Sequence, residues 1–295
     1  PLNFRSCGIA QILAEKMKMS VDDIYVVIDV NTQTSPKHWK TVASMTTFMI
    51  GNAVIDAAND LIDKLKDIGS IVLKCPPDDL DIGNKKVYLK DNPNTYISFK
   101  DIVDGYKYPS GTSIGGQIIG CGTYIMRHLT LLDRETGKGK TGATWTVGAQ
   151  AVEVEYDPIR YTYRLLKAAT VIDVGKVINP KTARGLLMGG MSMGLGLGTR
   201  EEFVYNPEGI LENSSLRTYK LIRFGEHPEY IVDFVETPQI DAPFGARGLS
   251  EHGVIGISAA FANAISRAAD ADFDMLPILP ETIWAAKTGG KYDFI

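Results

Sequence analysis

The sequence is poor in the residues that build metal sites and disulfide frameworks. Its three cysteines, Cys7, Cys75 and Cys121, are odd in number, far apart and outside any CxxC spacing. This pattern encodes neither a disulfide framework nor a zinc or iron–sulfur site, and it favours a reducing cytoplasm. The four histidines form no HxH or HExxH pattern, so we expect no metal ion held by protein side chains.

Clusters of basic residues and long apolar runs are also missing. The formal net charge is -4, and without a run of Lys and Arg the chain is not expected to bind nucleic acid or an anionic membrane. The sequence contains no signal peptide and no apolar run long enough for a membrane helix. It starts at Pro1 without an initiator methionine, which favours a processed chain, an excised domain or one part of a larger polypeptide.

A single carboxylate, Glu251, stands in a glycine-flanked turn before an apolar, alanine-rich stretch. Gly248 and Gly253 surround it, and glycine permits a positive φ and the close approach of a bulky group. Residues 254–268 read as a buried helix, so Glu251 would lie beside the positive end of a helix dipole. Taken locally, Glu251 is interpreted as a solvated first-turn acid, and a catalytic acid is the alternative.

A second candidate site is a segment of small and hydroxyl residues at the N-terminus of another predicted helix. It comprises Ala43, Ser44, Met45, Thr46 and Thr47. A helix N-terminus with exposed N–H groups and hydroxyls is suited to a phosphate or pyrophosphate. Ordinary capping and packing of the helix is the alternative interpretation.

Glycines recur in a further predicted helix, which begins at Asn179-Pro180. They are Gly185, Gly189, Gly190, Gly194, Gly196 and Gly198. Each costs roughly 1 kcal/mol relative to Ala inside a helix, so their number needs a reason. Close packing against another backbone and close packing against a flat ligand both supply one.

Local patterns predict a mixture of helices and antiparallel strands, and hence the α+β class. The 295 residues are 44% hydrophobic, enough for a substantial core. Residues 107–122, rich in Gly, Ser and Pro, predict a connection between two lobes, 1–110 and 111–295. The predicted helices cover residues 8–18, 41–65, 99–106, 180–198 and 254–268. The predicted strands cover 24–30, 85–90, 94–97, 145–156, 163–174 and 230–235, and residues 201–209 are predicted as a strand running into a turn.

The order of several short motifs carries a family resemblance that covers nearly the whole chain. The motifs are Gly51-Asn52-Ala53-Val54, Asp173-Val174-Gly175, Asn179-Pro180, Gly194-Leu195-Gly196 before Glu201-Glu202, Gly248-Leu249-Ser250-Glu251 and Pro280-Glu281-Thr282-Ile283-Trp284. In this order they resemble the C-terminal molybdopterin-binding part of the molybdenum hydroxylases, the xanthine dehydrogenase and aldehyde oxidase family.

The resemblance implies a two-lobed molybdopterin-binding domain that takes part in hydroxylating an N-heteroaromatic or aldehyde carbon with water-derived oxygen. The implied cofactor is molybdenum–molybdopterin, as molybdopterin or its cytosine dinucleotide, with the metal held by the pterin rather than by side chains. Glu251 matches the family's general base. Residues 43–47 match the segment that holds the pterin phosphate, and Gly194 matches the helix that passes close to the cofactor. Arg247 is expected to position Glu251 or an anionic group, or else to form a surface ion pair.

Two departures from the family pattern are informative. Met193 stands where the family usually has a glutamine that hydrogen-bonds near the metal, and a thioether cannot donate a hydrogen bond. Ser250 stands where a glycine usually precedes the acid.

Regions that the family uses elsewhere are absent from this sequence. We therefore expect the [2Fe–2S] and FAD groups, and the rest of the molybdenum subunit, to be supplied by partner domains or chains in a hetero-oligomer. The chain alone is expected to be inactive. A non-catalytic cofactor-binding scaffold is the alternative, and Met193 is its best argument.

Overall fold

Two compact units make up the part of the chain that this computed structural model describes, residues 4–28, 30–33, 35 and 42–290. The first unit is drawn from residues 1–144 and 238–246, and the second from residues 145–237 and 247–295. Each combines helices with small sheets, in agreement with the predicted α+β class.

The first unit consists of a long helix with small antiparallel sheets. The meander β1-β2-β3 and the hairpin β4-β5 are its sheets. Leu65 of the long helix packs with Leu80 and Val87 of the meander, all fully or almost fully buried. The elements are α1 (Phe4–Met17), α2 (Thr46–Leu73), β1 (Leu80–Gly83), β2 (Lys86–Leu89), β3 (Asn92–Ser98), α3 (Phe99–Ile102), β4 (Asp104–Lys107) and β5 (Ser113–Gln117).

Three predictions for the first unit differ from the structure. The short helix predicted at 99–106 ends at Ile102, and the following residues form β4. The strand predicted at 24–30 is not formed by the described residues 24–28 and 30, where Tyr25 and Val27 are 89% and 85% exposed. Side chains that suit a strand do not make one without a neighbouring strand to pair with. The predicted connection at 107–122 instead contains β5, with Ile114 opposite Tyr106. The lobe boundary predicted near residue 110 thus falls within a hairpin, whereas the compact units divide at 144/145.

The second unit is a three-stranded sheet covered by helices. The antiparallel pairing of the strands predicted at 145–156 and 163–174 is present as β6 and β7, while β8 pairs with β7 in parallel. Its elements are β6 (Gly148–Asp157), β7 (Thr162–Asp173), α4 (Pro180–Thr199), α5 (Leu216–Tyr219), β8 (Glu229–Val235), α6 (His252–Ile255), α7 (Ile257–Ala269) and α8 (Pro280–Thr288).

Helices α4 and α7 form the core of the second unit. Asn179 caps α4 as predicted, since its Oδ1 accepts the N–H of Thr182 at 3.0 Å. Leu187 and Leu195 of α4 and Phe261 of α7 have no exposed surface.

Two further predictions in the second unit are corrected. The helix predicted at 254–268 is interrupted at Gly256, which separates α6 from α7. Residues 201–209 are predicted as a strand running into a turn. The turn is present, since Asn206 Oδ1 accepts the N–H groups of Glu208 and Ile210, but the strand is reduced to one bridge between Tyr205 and Leu211. Among the helices that the structure describes, none is long and apolar enough to cross a membrane.

Candidate functional site

The loop that carries Glu251, residues 247–256, is called the Glu251 loop, and its first residue is fixed to the sheet. The Arg247 N–H donates to the Val174 carbonyl at 2.8 Å. The Arg247 guanidinium donates to the Trp145 carbonyl at 2.9 Å and lies 3.6 Å from Asp173 Oδ2. Only 14% of the Arg247 side chain is exposed, so the ion pair is largely enclosed and not a surface pair.

Asp173, the partner of Arg247, is held as an anion by its surroundings. Its Oδ1 accepts the N–H groups of Gly175 at 3.1 Å and Thr237 at 3.0 Å. Burial, the largest single influence, acts to raise the pKa of Asp173, but the hydrogen bonds together with the Arg247 charge outweigh it, so the pKa lies below its usual value. The carboxylate is therefore ionised at neutral pH, and it fixes the start of the Glu251 loop.

The middle and the end of the Glu251 loop are bound by the start of β6. Thr146 Oγ1 donates to the Gly248 carbonyl at 3.1 Å. Gln150 Nε2 donates to the Gly253 carbonyl at 3.0 Å, and Gln150 Oε1 accepts the Gly256 N–H at 2.8 Å. Residues 145–150 therefore contact the loop on both sides of Glu251.

Glu251 is the residue before α6 and is solvent-exposed in this chain. Its backbone is helical, with φ −95° and ψ −9°, and its side chain does not cap the helix. Because α6 has only four residues before the break at Gly256, the helix dipole expected at Glu251 is small. The carboxylate thus faces solvent from a loop whose backbone is fixed.

The glycines of α4 divide into two sets. A Cβ at Gly190 would lie 2.9 Å from Gly253 Cα, and one at Gly194 would lie 2.3 Å from Ile257 Cγ2. These glycines allow α4 to pack directly against α6 and α7. At Gly185 and Gly189 an added Cβ would meet no described atom within 4 Å.

Met193 and Gly194 are adjacent in α4 but have different surroundings. Met193 is 64% exposed, whereas Gly194 is buried and its carbonyl accepts Ser258 Oγ at 2.6 Å. Packing between helices thus accounts for Gly194, and a contact of either residue with a cofactor stays a prediction.

Residues 43–47 belong to the first unit and precede α2. Ala43 and Ser44 have left-handed backbones, with φ 51° and 55°, a strained conformation that is concentrated at functional sites. The 28-residue helix α2 has no side-chain cap at Met45. Thr46 Oγ1 is buried and has no hydrogen-bond partner among the described residues.

A helix N-terminus without a side-chain cap, next to an unpartnered buried hydroxyl, has donors left for a ligand. Such donors suit a phosphate. The 43–47 segment therefore fits the phosphate end of a pterin cofactor.

The Gly51-Asn52 motif supports α2 within the same unit. A Cβ at Gly51 would lie 2.6 Å from Pro243 Cγ, so glycine is needed for the close contact of these two segments. Asn52 Nδ2 donates to the Asp241 carbonyl at 3.0 Å. This motif therefore serves packing.

The predicted site residues divide between the two units. Arg247, Glu251, Met193 and Gly194 lie in the second unit, and the 43–47 segment lies in the first. Two residues that contact the Glu251 loop, Thr146 and Gln150, were not predicted as site residues. The available signal is Gln150 itself, a polar residue in line with the inward-facing Val152 and Val154 of β6.

Comparison with known proteins identifies the family. Residues 6–228 match the family model of the molybdopterin cofactor-binding domain. The chain belongs to this family. The predicted family and its molybdopterin cofactor are thereby confirmed.

The relatives are subunits of larger enzymes. The gamma subunit of the 6-hydroxypseudooxynicotine dehydrogenase complex of Paenarthrobacter nicotinovorans is 29% identical over 288 residues, which cover 95% of this chain and 34% of that subunit. The xanthine dehydrogenase molybdenum-binding subunit of Escherichia coli O157:H7 is 25% identical over 278 residues, 93% of this chain and 35% of that subunit. The chain thus spans about a third of the length of these curated relatives.

Solved structures share the fold. CO dehydrogenase from Oligotropha carboxidovorans superposes with a TM-score of 0.80 at 21% identity, covering 97% of this chain and 34% of that chain. Quinoline 2-oxidoreductase from Pseudomonas putida 86 superposes with a TM-score of 0.78 at 23% identity, covering 96% of this chain and 35% of that chain. The predicted α+β fold of the molybdopterin-binding type is confirmed.

Proposed function

We propose that this chain is the cofactor-binding and proton-accepting part of a molybdenum hydroxylase. The observation that carries the proposal is the Glu251 loop, whose backbone is fixed at Arg247, Gly248, Gly253 and Gly256 while its carboxylate is exposed. A loop that is bound on both sides of one exposed acid keeps that acid in a defined position, as a general base requires.

The 43–47 segment would hold the phosphate end of the cofactor. Thr46 Oγ1 and the N–H groups at the start of α2 are the donors for the phosphate oxygens. When bound, the molybdenum–pterin cofactor supplies the oxygen-transfer and two-electron chemistry. Whether it is molybdopterin or its cytosine dinucleotide depends on residues beyond this segment.

Glu251 would accept a proton during the reaction. Its carboxylate takes up the proton that is released as water-derived oxygen is added to the substrate carbon, and then returns that proton to solvent. Arg247 does not touch the substrate in this scheme, because its charge is paired with Asp173.

The proposed substrates are N-heteroaromatic compounds or aldehydes. The names of two relatives include xanthine and quinoline, both N-heteroaromatic. Since the chain spans about a third of these proteins, the rest of the molybdenum subunit and the [2Fe–2S] and FAD groups are proposed as partner domains or chains. The complex is expected in the cytoplasm, and the isolated chain is expected to be inactive.

Replacing Glu251 by Gln in the complete complex tests the general base. We expect kcat to fall about 10²- to 10⁴-fold, the usual contribution of a positioned general base, with molybdenum and pterin contents unchanged. The matched control is Glu281→Gln, because Glu281 is an exposed first-turn acid of α8 in the same unit. Equal activities of the two variants would exclude Glu251 as the base.

The second candidate function is a non-catalytic cofactor-binding scaffold. Met193 favours it, since this exposed side chain cannot donate a hydrogen bond. A complex that retains full activity with Glu251→Gln while still binding the cofactor would support the scaffold and contradict the enzyme.

A further inference from the structure

Gln150 occupies an inward-facing position of β6 that is otherwise apolar. Side chains two residues apart lie on the same face of a strand, and Val152, Val154 and Tyr156 of this row pack against the core of the second unit. Gln150 is partly buried and lies in the same row, where it is the one residue with an amide side chain. A buried amide is costly unless its donor and its acceptor are both hydrogen-bonded.

The Gln150 amide is satisfied by the backbone at the break between α6 and α7. Its Nε2 donates to the Gly253 carbonyl at 3.0 Å, and its Oε1 accepts the Gly256 N–H at 2.8 Å. Carbonyl groups at a helix end lack partners within the helix. The Gln150 side chain therefore binds both α6, through Gly253, and the break, through Gly256.

Both glycines lie in close contact with neighbouring atoms. A Cβ at Gly256 would lie 2.7 Å from Gln150 Oε1, and a Cβ at Gly253 would lie 2.6 Å from the Leu187 carbonyl oxygen. The turn α6 is thus held between Gln150 on one side and α4 on the other. Glu251 precedes this turn directly.

We infer that Gln150 is a positioning residue that sets the location of the Glu251 carboxylate through the backbone of α6. The inference rests on the proposed role of Glu251 as the base. Both hydrogen bonds of the Gln150 amide go to the backbone of the loop, so its role is to act through Glu251 and not on the substrate.

The kinetic test is a double-mutant cycle in the complete complex. Gln150→Leu removes both hydrogen bonds, and we expect a loss in kcat of up to about 100-fold, the effect of misplacing a catalytic group by about 1 Å. KM and molybdenum content should stay unchanged. In a Glu251→Gln background the same change should lower kcat less than about threefold, because the two residues act as one unit.

A second readout does not depend on activity. Hydrogen exchange of the amides of residues 251–256 should be at least about tenfold faster in Gln150→Leu, whereas exchange within α2 should be unchanged. Gln150→Glu preserves the size of the side chain and can still accept from Gly256, but an ionised carboxylate cannot donate to Gly253. We expect it to give an intermediate rate of exchange, and it serves if the Leu variant does not fold.

Thr170→Val is the matched control, since Thr170 lies opposite Gln150 in β7. It should change neither kcat nor exchange at 251–256. Equal losses from Gln150→Leu in the two backgrounds, or unchanged exchange at 251–256, would overturn the inference about Gln150. Full activity of Glu251→Gln alone would instead contradict the proposed function.

Discussion

The Glu251 loop and the 43–47 segment satisfy their polar groups in different ways. In the loop, the backbone groups of residues 247, 248, 253 and 256 are bonded to side chains or backbone of the same unit. In the 43–47 segment, the helix start has no side-chain cap and the buried Thr46 hydroxyl has no partner among the described residues. These backbone groups of the loop thus have partners within the chain, whereas the segment retains a donor, the Thr46 hydroxyl, that has no described partner.

In the proposed function, this difference has a reason: the loop positions a catalytic group, whereas the segment binds a ligand. A buried polar atom without a partner costs free energy, about 1–3 kcal/mol, and a ligand that completes its bonds removes this cost. A carboxylate that acts as a base needs a fixed location instead, and the loop obtains that location from β6, α4 and Asp173.

The largest effect is expected where the loop is packed most closely. A Cβ at Gly190 would lie 2.9 Å from Gly253 Cα and 3.1 Å from Val254 N, and these backbone atoms cannot rotate away. We expect Gly190→Ala to lower the free energy of unfolding by about 1–3 kcal/mol, as measured by chemical denaturation. Gly185→Ala is the control in the same helix, where no described atom lies within 4 Å of the added Cβ, and it should raise stability by up to about 1 kcal/mol. Similar changes in both variants would contradict the packing account of the loop.

A smaller effect, on cofactor affinity and not on stability, is expected in the 43–47 segment. Thr46→Val keeps the shape of the side chain and removes a hydroxyl that has no protein partner in the described structure. The chain should be no less stable, while affinity for the cofactor should fall by about 1 kcal/mol, roughly fivefold, as measured by cofactor release from the complex. Thr170→Val removes another buried hydroxyl without a described partner, and it should leave cofactor affinity unchanged. Loss of stability without loss of affinity in Thr46→Val would mean that the hydroxyl serves packing.

The smallest effect should be a pH dependence of stability that is caused by Asp173, the partner of Arg247 at the start of the Glu251 loop. Because the pKa of Asp173 is lowered in the folded chain, its stabilising contribution is present above its unfolded-state pKa of about 3.9 and is lost as the pH falls through the lower folded-state value. Asp173→Asn should therefore be less stable than the wild type at pH 7, and the difference should shrink below about pH 4. Unfolding curves at a series of pH values measure this difference. A constant difference down to about pH 2 would exclude the charge of Asp173 as the cause.

Elements with local signals could be predicted from the sequence. Helix α1 follows from the spacing of its apolar residues, the β6–β7 pair from alternation around an Asp157-Pro158 turn, and the start of α4 from Asn179. The parallel pairing of β8 with β7 and the break at Gly256 could not, because they depend on residues that are distant in sequence.

The candidate site, too, could be predicted only where its signals are local in sequence. Glu251, Arg247 and the 43–47 segment follow from their motifs, and anion binding by 43–47 stays a prediction, which the unpartnered Thr46 hydroxyl supports. The sequence allows two roles for Arg247, and its pairing with Asp173 is visible only in the structure. Gln150 was missed because its partners, Gly253 and Gly256, follow it by 103 and 106 residues.

That separation also determines when Glu251 acquires its position during synthesis. The β6–β7 hairpin contains only local contacts and can form as soon as residue 173 has left the ribosome. The Gln150–Gly253 bond closes across 103 residues, and such long-range contacts form late. We expect a nascent chain that stops before residue 253 to contain a folded hairpin and α4, with Gln150 still lacking both of its partners.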